Sequence, residues 1–115
     1  MSKNQDTHFP KAPNRFLTDK ENSDALRIWN YLSEVYDESG LAMDLTSEKL
    51  ELYCDVSQRI NSFIKTIYKS SKKKNPDILK DMEDLKFLKS DISLQKSLAT
   101  GLSLPKALKI YKDKK

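Results

Sequence analysis

The chain of 115 residues is short of almost everything that chemistry at a protein site requires. It has one histidine, His8, in a stretch with two prolines and no apolar periodicity, so a general base held by packing is not expected. Its single cysteine, Cys54, has no histidine among the patterned residues. It reads as a small buried side chain and fits a reducing compartment rather than a disulfide framework. Two glycines cannot build a loop that cradles phosphate, and neither a Walker A pattern nor a dinucleotide fingerprint occurs. Clustered Cys and His are absent, so no metal site is expected. The acids Asp81, Glu83 and Asp84 are explained by a solvated helix face. No apolar run approaches the length of a membrane span, and residues 1–15 lack the apolar core of a signal peptide. These absences predict a soluble intracellular protein without enzyme activity, cofactor, small-molecule substrate or membrane.

What is present is charge, strongly segregated. Charged residues make up 33% of the chain and apolar ones 37%, which leaves material for only a modest core. The formal net charge of +4 conceals three blocks. Residues 16–56 carry Lys20, Arg27 and Lys49 against ten acids. Residues 58–75 carry Arg59, Lys65, Lys69, Lys72, Lys73 and Lys74 with no acid, and residues 92–115 carry six lysines against Asp113. Such blocks attract polyanions, or oppositely charged faces of further copies.

The periodicity throughout is helical, and an all-α fold is predicted. Residues 1–17 read as a flexible arm, and residues 18–115 as one helical domain. Thr18 to Glu21 has the form of a capping box opening a helix over 19–39, with its stripe at Ala25, Ile28, Trp29, Leu32, Val35 and Tyr36 and its stop at Gly40. Asp44 or Thr46 then caps a second long helix, whose stripe runs through Leu50, Tyr53, Val56, Ile60, Phe63, Ile64 and Ile67 to about Ser70. The short connector predicts an antiparallel hairpin over 18–70. Ser71 to Lys74 is a turn, after which Asn75 caps a third helix with Pro76 in its first position. That helix carries Ile78, Met82, Leu85 and Leu88, then changes phase near residues 90–93, where a break is expected before Leu94 and Leu98. Leu104 to Lys112 forms a last short helix. Residues 93–112 therefore fit either a helix-turn-helix-like unit or a packing hairpin at the end of a bundle. Arg, Asn and Gln are nearly absent after Asn75, so base readout is not indicated; lysines favour phosphate contact.

Residues 17–54, LTDKENSDALRIWNYLSEVYDESGLAMDLTSEKLELYC, resemble the phage terminase small subunits. The matching features are a tryptophan-bearing first helix (Trp29), a Gly-Leu connector (Gly40-Leu41), an Asp before the second helix (Asp44), and a Leu-x-x-Tyr-Cys signature at Leu50, Tyr53 and Cys54. Asn75-Pro76 and Gly101-Leu102-Ser103 look like later landmarks of the family. Two departures stand out: Leu104 intervenes before Pro105, and no arginine follows. The resemblance implies a homo-oligomer, ring-forming in the family, in the cytoplasm of a bacterial host. It would bind double-stranded viral DNA at the packaging start and present it to a large terminase subunit that holds the catalytic activities. Under it, Lys65, Lys69, Lys72, Lys73, Lys74, Lys106, Lys109 and Lys112 are the expected DNA contacts. Trp29, Leu32, Tyr36, Tyr53, Ile60 and Phe63 are the expected seams between copies. A small helix-turn-helix transcriptional regulator and a helical protein–protein adaptor are the alternatives.

Overall fold

A computed structural model of the chain describes residues 9–41 and 45–114. His8 and Asp44 lie outside the described residues. All regular structure within them is helical: α1 (Asn14–Thr18), a 3-10 turn (Lys20–Asn22), α2 (Ser23–Ser39), α3 (Ser47–Ser71), α4 (Ile78–Gly101) and α5 (Leu104–Asp113). None of these helices is long and apolar enough to cross a membrane.

Residues 9–17 were expected to belong to an arm outside the domain. Instead they carry two core residues, Phe9 and Phe16. Phe16 is 1% exposed and meets Trp29 edge-on, with ring centroids 6.0 Å apart. Phe9 meets Trp29 edge-on at 5.5 Å and stacks on Tyr36 at 5.9 Å. Two aromatics seven residues apart leave no helical stripe to detect, yet each buries a large apolar surface. Arg15 fixes the segment from outside, its guanidinium bonding Glu51 (2.7 Å) and Asp55 (2.5 Å) on α3. Those two carboxylates, Asp55 first, hold the Arg15 pKa above its ordinary value.

No capping box forms at Thr18. Its hydroxyl donates back to the Asn14 carbonyl, closing α1, and Asp19 accepts the Glu21 amide at 2.9 Å to open the 3-10 turn. α2 then ends as expected: Gly40 adopts φ +75°, and the Leu41 amide reaches back to the Tyr36 carbonyl.

α2 runs antiparallel along the first half of α3. The Ala25 amide donates to Gln58 Oε1 (2.8 Å) and Asn61 donates to Asp24 (2.9 Å), so the beginning of α2 sits beside the middle of α3. On its other side α2 receives α5, through Leu104, Ala107 and Tyr111. The Tyr36 hydroxyl donates 2.7 Å to the Leu102 carbonyl, and Tyr111 bonds Glu34. Together these segments make a head whose core includes Trp29, Leu32, Val35, Tyr36, Leu50 and Cys54. Burial pushes the Tyr36 phenol pKa well up.

α3 and α4 form the longest pairing and project from the head. As α3 partners fall in number from Ser70 through Phe63 and Arg59 to Ser57, the α4 partners rise from Asp81 through Phe87 and Asp91 to Gln95. That order defines an antiparallel hairpin. The expected break near residues 90–93 does not occur; α4 is one helix of 24 residues. Its apolar phase changes because its two ends have different neighbours. Leu98 and Ala99 turn inward at the head, whereas Ile78, Met82 and Leu85 face solvent. The cap of α4 is also Asp77 rather than Asn75, with its carboxylate accepting the Lys80 amide at 3.1 Å. Pro76 therefore precedes the helix instead of starting it, and a charged cap suits the positive end of the helix dipole.

Candidate nucleic-acid interface

The eight lysines singled out by the sequence fall into two separate groups. Lys65, Lys69, Lys72, Lys73 and Lys74 gather on the last turns of α3 and at the hairpin tip. Lys106, Lys109 and Lys112 lie on α5 in the head, beside the buried face formed by Leu104, Ala107 and Tyr111. The tip stands roughly 22 Å beyond the level at which Ser57 meets Gln95, at 1.5 Å per residue. One chain therefore offers two basic surfaces rather than a single patch.

All eight are exposed, and among the described residues none takes part in an ion pair. Their charges remain available to a polyanion at the cost of little desolvation. At the tip, Lys69, Lys73 and Lys80 line a recess of about 210 Å³ with Thr66, Ser70, Asp77 and Asp81. The carboxylates there are already engaged: Asp77 caps α4, and Asp81 accepts the buried Ser70 hydroxyl at 2.6 Å. Lys80 is held by Asp84 at 3.1 Å, which raises its pKa, and Lys72 lies 4.9 Å over the Tyr68 ring. Lys69 and Lys73 are the uncommitted charges of the recess.

The six residues expected between copies are engaged within one chain. Trp29, Leu32 and Tyr36 are core residues of the head and leave no side-chain surface for a neighbour. Ile60 is buried, Tyr53 is half-buried, and Phe63 stacks on Phe87 with centroids 6.1 Å apart and planes 10° apart. The expectation of seams is corrected at Trp29, Leu32, Tyr36 and Ile60, which the chain itself buries, whereas Tyr53 and Phe63 keep part of their surface exposed. Their stripes were real, but α4, α5 and the Phe9–Phe16 segment cover them from inside the chain.

The uncovered apolar surface lies elsewhere. Ile64, Tyr68, Ile78, Leu79, Met82, Leu85, Phe87, Ile92 and Leu94 are exposed on the hairpin, Leu79 at 81%. The signal for part of this was present in the sequence, since Ile78, Met82 and Leu85 make a helical stripe. The residues turned toward α3 are instead Asp84 and Asp91 together with Phe87, so acids of α4 share the seam with apolar side chains.

Cys54 is fully buried and its pKa is pushed up to about 12, chiefly by burial, so the thiolate is suppressed. No group of three or more metal-ligating side chains occurs among the described residues. Comparison with protein-family models, with curated proteins and with solved structures finds no match to this chain.

Proposed function

We propose that this chain is a non-enzymatic, self-associating subunit that holds double-stranded DNA by its phosphates. Its role would be that of the phage terminase small subunits it resembles: to gather viral DNA and present it to a large, catalytic terminase subunit. The observation that carries this reading is the projecting α3–α4 hairpin, with unpaired lysines at its tip and large apolar side chains along its flanks. The apolar flanks supply a reason to associate. The lysines supply a contact that fixes position on DNA without reading sequence, and repetition over several copies multiplies weak phosphate contacts. At the α4–α5 junction, the helix-turn-helix-like unit of this reading, α5 adds Lys106, Lys109 and Lys112 as a second phosphate-binding surface.

The test is duplex DNA retention as a function of salt, on particles of measured mass. Replacing Lys69, Lys73 and Lys74 together by alanine is expected to flatten the log–log salt dependence by roughly 0.9 per lost phosphate contact. An unchanged slope would reduce the tip to a solvated turn. Strong discrimination among short operators would favour the regulator alternative instead.

A further inference from the structure

We infer that two copies pair face to face through their α3–α4 hairpins, about a two-fold axis passing at the level of Thr66 and Leu85. This rests on the self-association proposed above and specifies its surface, its register and its first step.

The argument begins where α2 stops. Leu50, Cys54, Asn61, Ile64 and Tyr68 fall on one stripe of α3, at alternating spacings of three and four with Ser57 between. α2 covers its first part, ending near Asn61, which bonds Asp24. Ile64 and Tyr68 continue the same stripe past the start of α2 and are half or more exposed. On α4, Ile78, Leu85 and Ile92 recur every seven residues, with Met82 one turn from Ile78, and all four are exposed. Counted at about 100° per residue from the buried seam of each helix, the two sets lie the same third of a turn away, in the same sense. In an antiparallel pair that puts both on the hairpin face that α2 occupies at the head. A second hairpin laid on this face completes a four-helix bundle and continues the cover that α2 begins.

The pattern is self-complementary in register. Because Phe63 is level with Phe87 and Ser70 with Asp81, Thr66 is level with about Leu85. A two-fold axis there sets Ile64 of one copy against Tyr68 of the other, and Ile78 against Ile92. Leu85 meets its own counterpart. Lys89 is the one charge on the stripe between Ile78 and Ile92, and its long stem can lie along the apolar surface with the ammonium at the rim.

Charge fits the same arrangement. Lys72, six residues past Thr66, comes level with residue 60 of the other copy. Beside that level Glu21 and Asp24 line a recess with Gln58, Ser62 and Lys65, forming the step where α2 begins. Each basic tip thus comes beside Glu21, twice per pair, Asp24 being already held by Arg27 and Asn61. Lys69 lies about 120° around α3 from the Ile64–Tyr68 stripe and Lys73 follows in the turn beyond the helix, so the phosphate-facing recess stays open on the outer side.

The test uses the full chain. A residue on the axis faces itself, so Leu85→Cys is expected to form a disulfide-linked pair on mild oxidation, with native Cys54 buried and silent. Leu79→Cys, more exposed but on another side of α4, is expected to stay single. Leu85→Glu places two like charges on the axis and should weaken pairing about a hundredfold by sedimentation equilibrium, with an unchanged far-ultraviolet helical spectrum. A chain that stays single at high concentration overturns the inference, as does an assembly in which Leu79→Cys links and Leu85→Cys does not. Single chains that bind vesicles of phosphatidylserine and phosphatidylcholine through the Leu85 face also overturn it. A linked pair that ignores DNA leaves the pairing standing and removes the proposed function, so the two fail separately.

Discussion

The head and the hairpin are built on opposite plans. In the head, aromatic and aliphatic side chains from four helices and the Phe9–Phe16 segment meet in one core, while most acids point outward. In the hairpin, Val56 and Ile60 are buried near the base, but the seam is also tied by polar pairs. Arg59 binds Asp91 through two hydrogen bonds of 3.0 and 2.8 Å, Gln95 donates to Ser57, and Ser70 donates to Asp81. Ile64, Tyr68, Ile78, Leu79, Met82 and Leu85 look outward. A head of this kind holds itself together, whereas a hairpin with polar ties inside and apolar flanks outside is finished only when something covers it.

The sharpest way to break this comparison is to truncate one large residue in each region. Trp29→Ala removes an indole that Phe9 and Phe16 pack against and should cost about 3–5 kcal/mol in denaturant titration. Met82→Ser removes an outward side chain and should change the stability of the dilute, single chain by no more than about 0.5 kcal/mol. Equal losses would mean that the hairpin has a core of its own.

A smaller effect is expected at the seam. Asp91 is largely buried while Arg59 is half in water, so Asp91→Ala should cost about 1 kcal/mol after solvent screening. Replacing both partners by leucine should be neutral or stabilising, because desolvating an ion pair offsets much of its attraction. A loss of several kcal/mol in the double variant would show that the pair fixes the geometry of the hairpin, not merely one contact.

The same contrast explains which parts of the molecule were legible beforehand. Helices with a continuous stripe and a clear stop declared themselves: α2 from Ala25 to Gly40, α3 from Thr46 to about Ser70, α5 after Leu104. The Phe9–Phe16 segment did not, because two aromatics bracketing Pro10 and Pro13 form no period. α4 was misjudged as broken because a stripe reports where apolar residues lie, not whether the chain itself covers them. For the same reason Trp29 and Tyr36 passed for contacts between copies: one stripe serves equally for a core or an interface. The lysines were placed correctly at a turn and on α5, but their separation into two surfaces depends on how far the hairpin projects.

A subtler change is expected where the hairpin rejoins the head. Ser103 links α4 to α5 at φ +55°, ψ +32°, the left-handed region, without a glycine. The preceding Gly101 is helical, so the glycine of this junction is not the residue that makes the turn. Ser103→Gly should stabilise the chain by about 0.5–1 kcal/mol, and Ser103→Val should destabilise it by more, both read as shifts in thermal midpoint. If glycine brings no gain, the Ser103 side chain contributes a compensating interaction at the junction.

The smallest effect belongs to the step between the two regions. Asn61 first, then Arg27, hold the Asp24 carboxyl below its ordinary pKa. A carboxyl depressed in the folded state binds its proton less readily there than in the unfolded chain. Its stabilisation is therefore complete above the ordinary carboxylate range and is lost as pH falls through the folded value. Asp24→Asn should make stability fall less steeply with acid below about pH 4, with a total effect below about 1 kcal/mol at so accessible a site. Urea midpoints measured from neutral pH downward give the slope directly. Parallel slopes for the two proteins would show that the Asp24–Asn61 contact does not hold α2 to α3. The step would then owe its position to the Gln58 bonds with Ala25 and Asn22 alone.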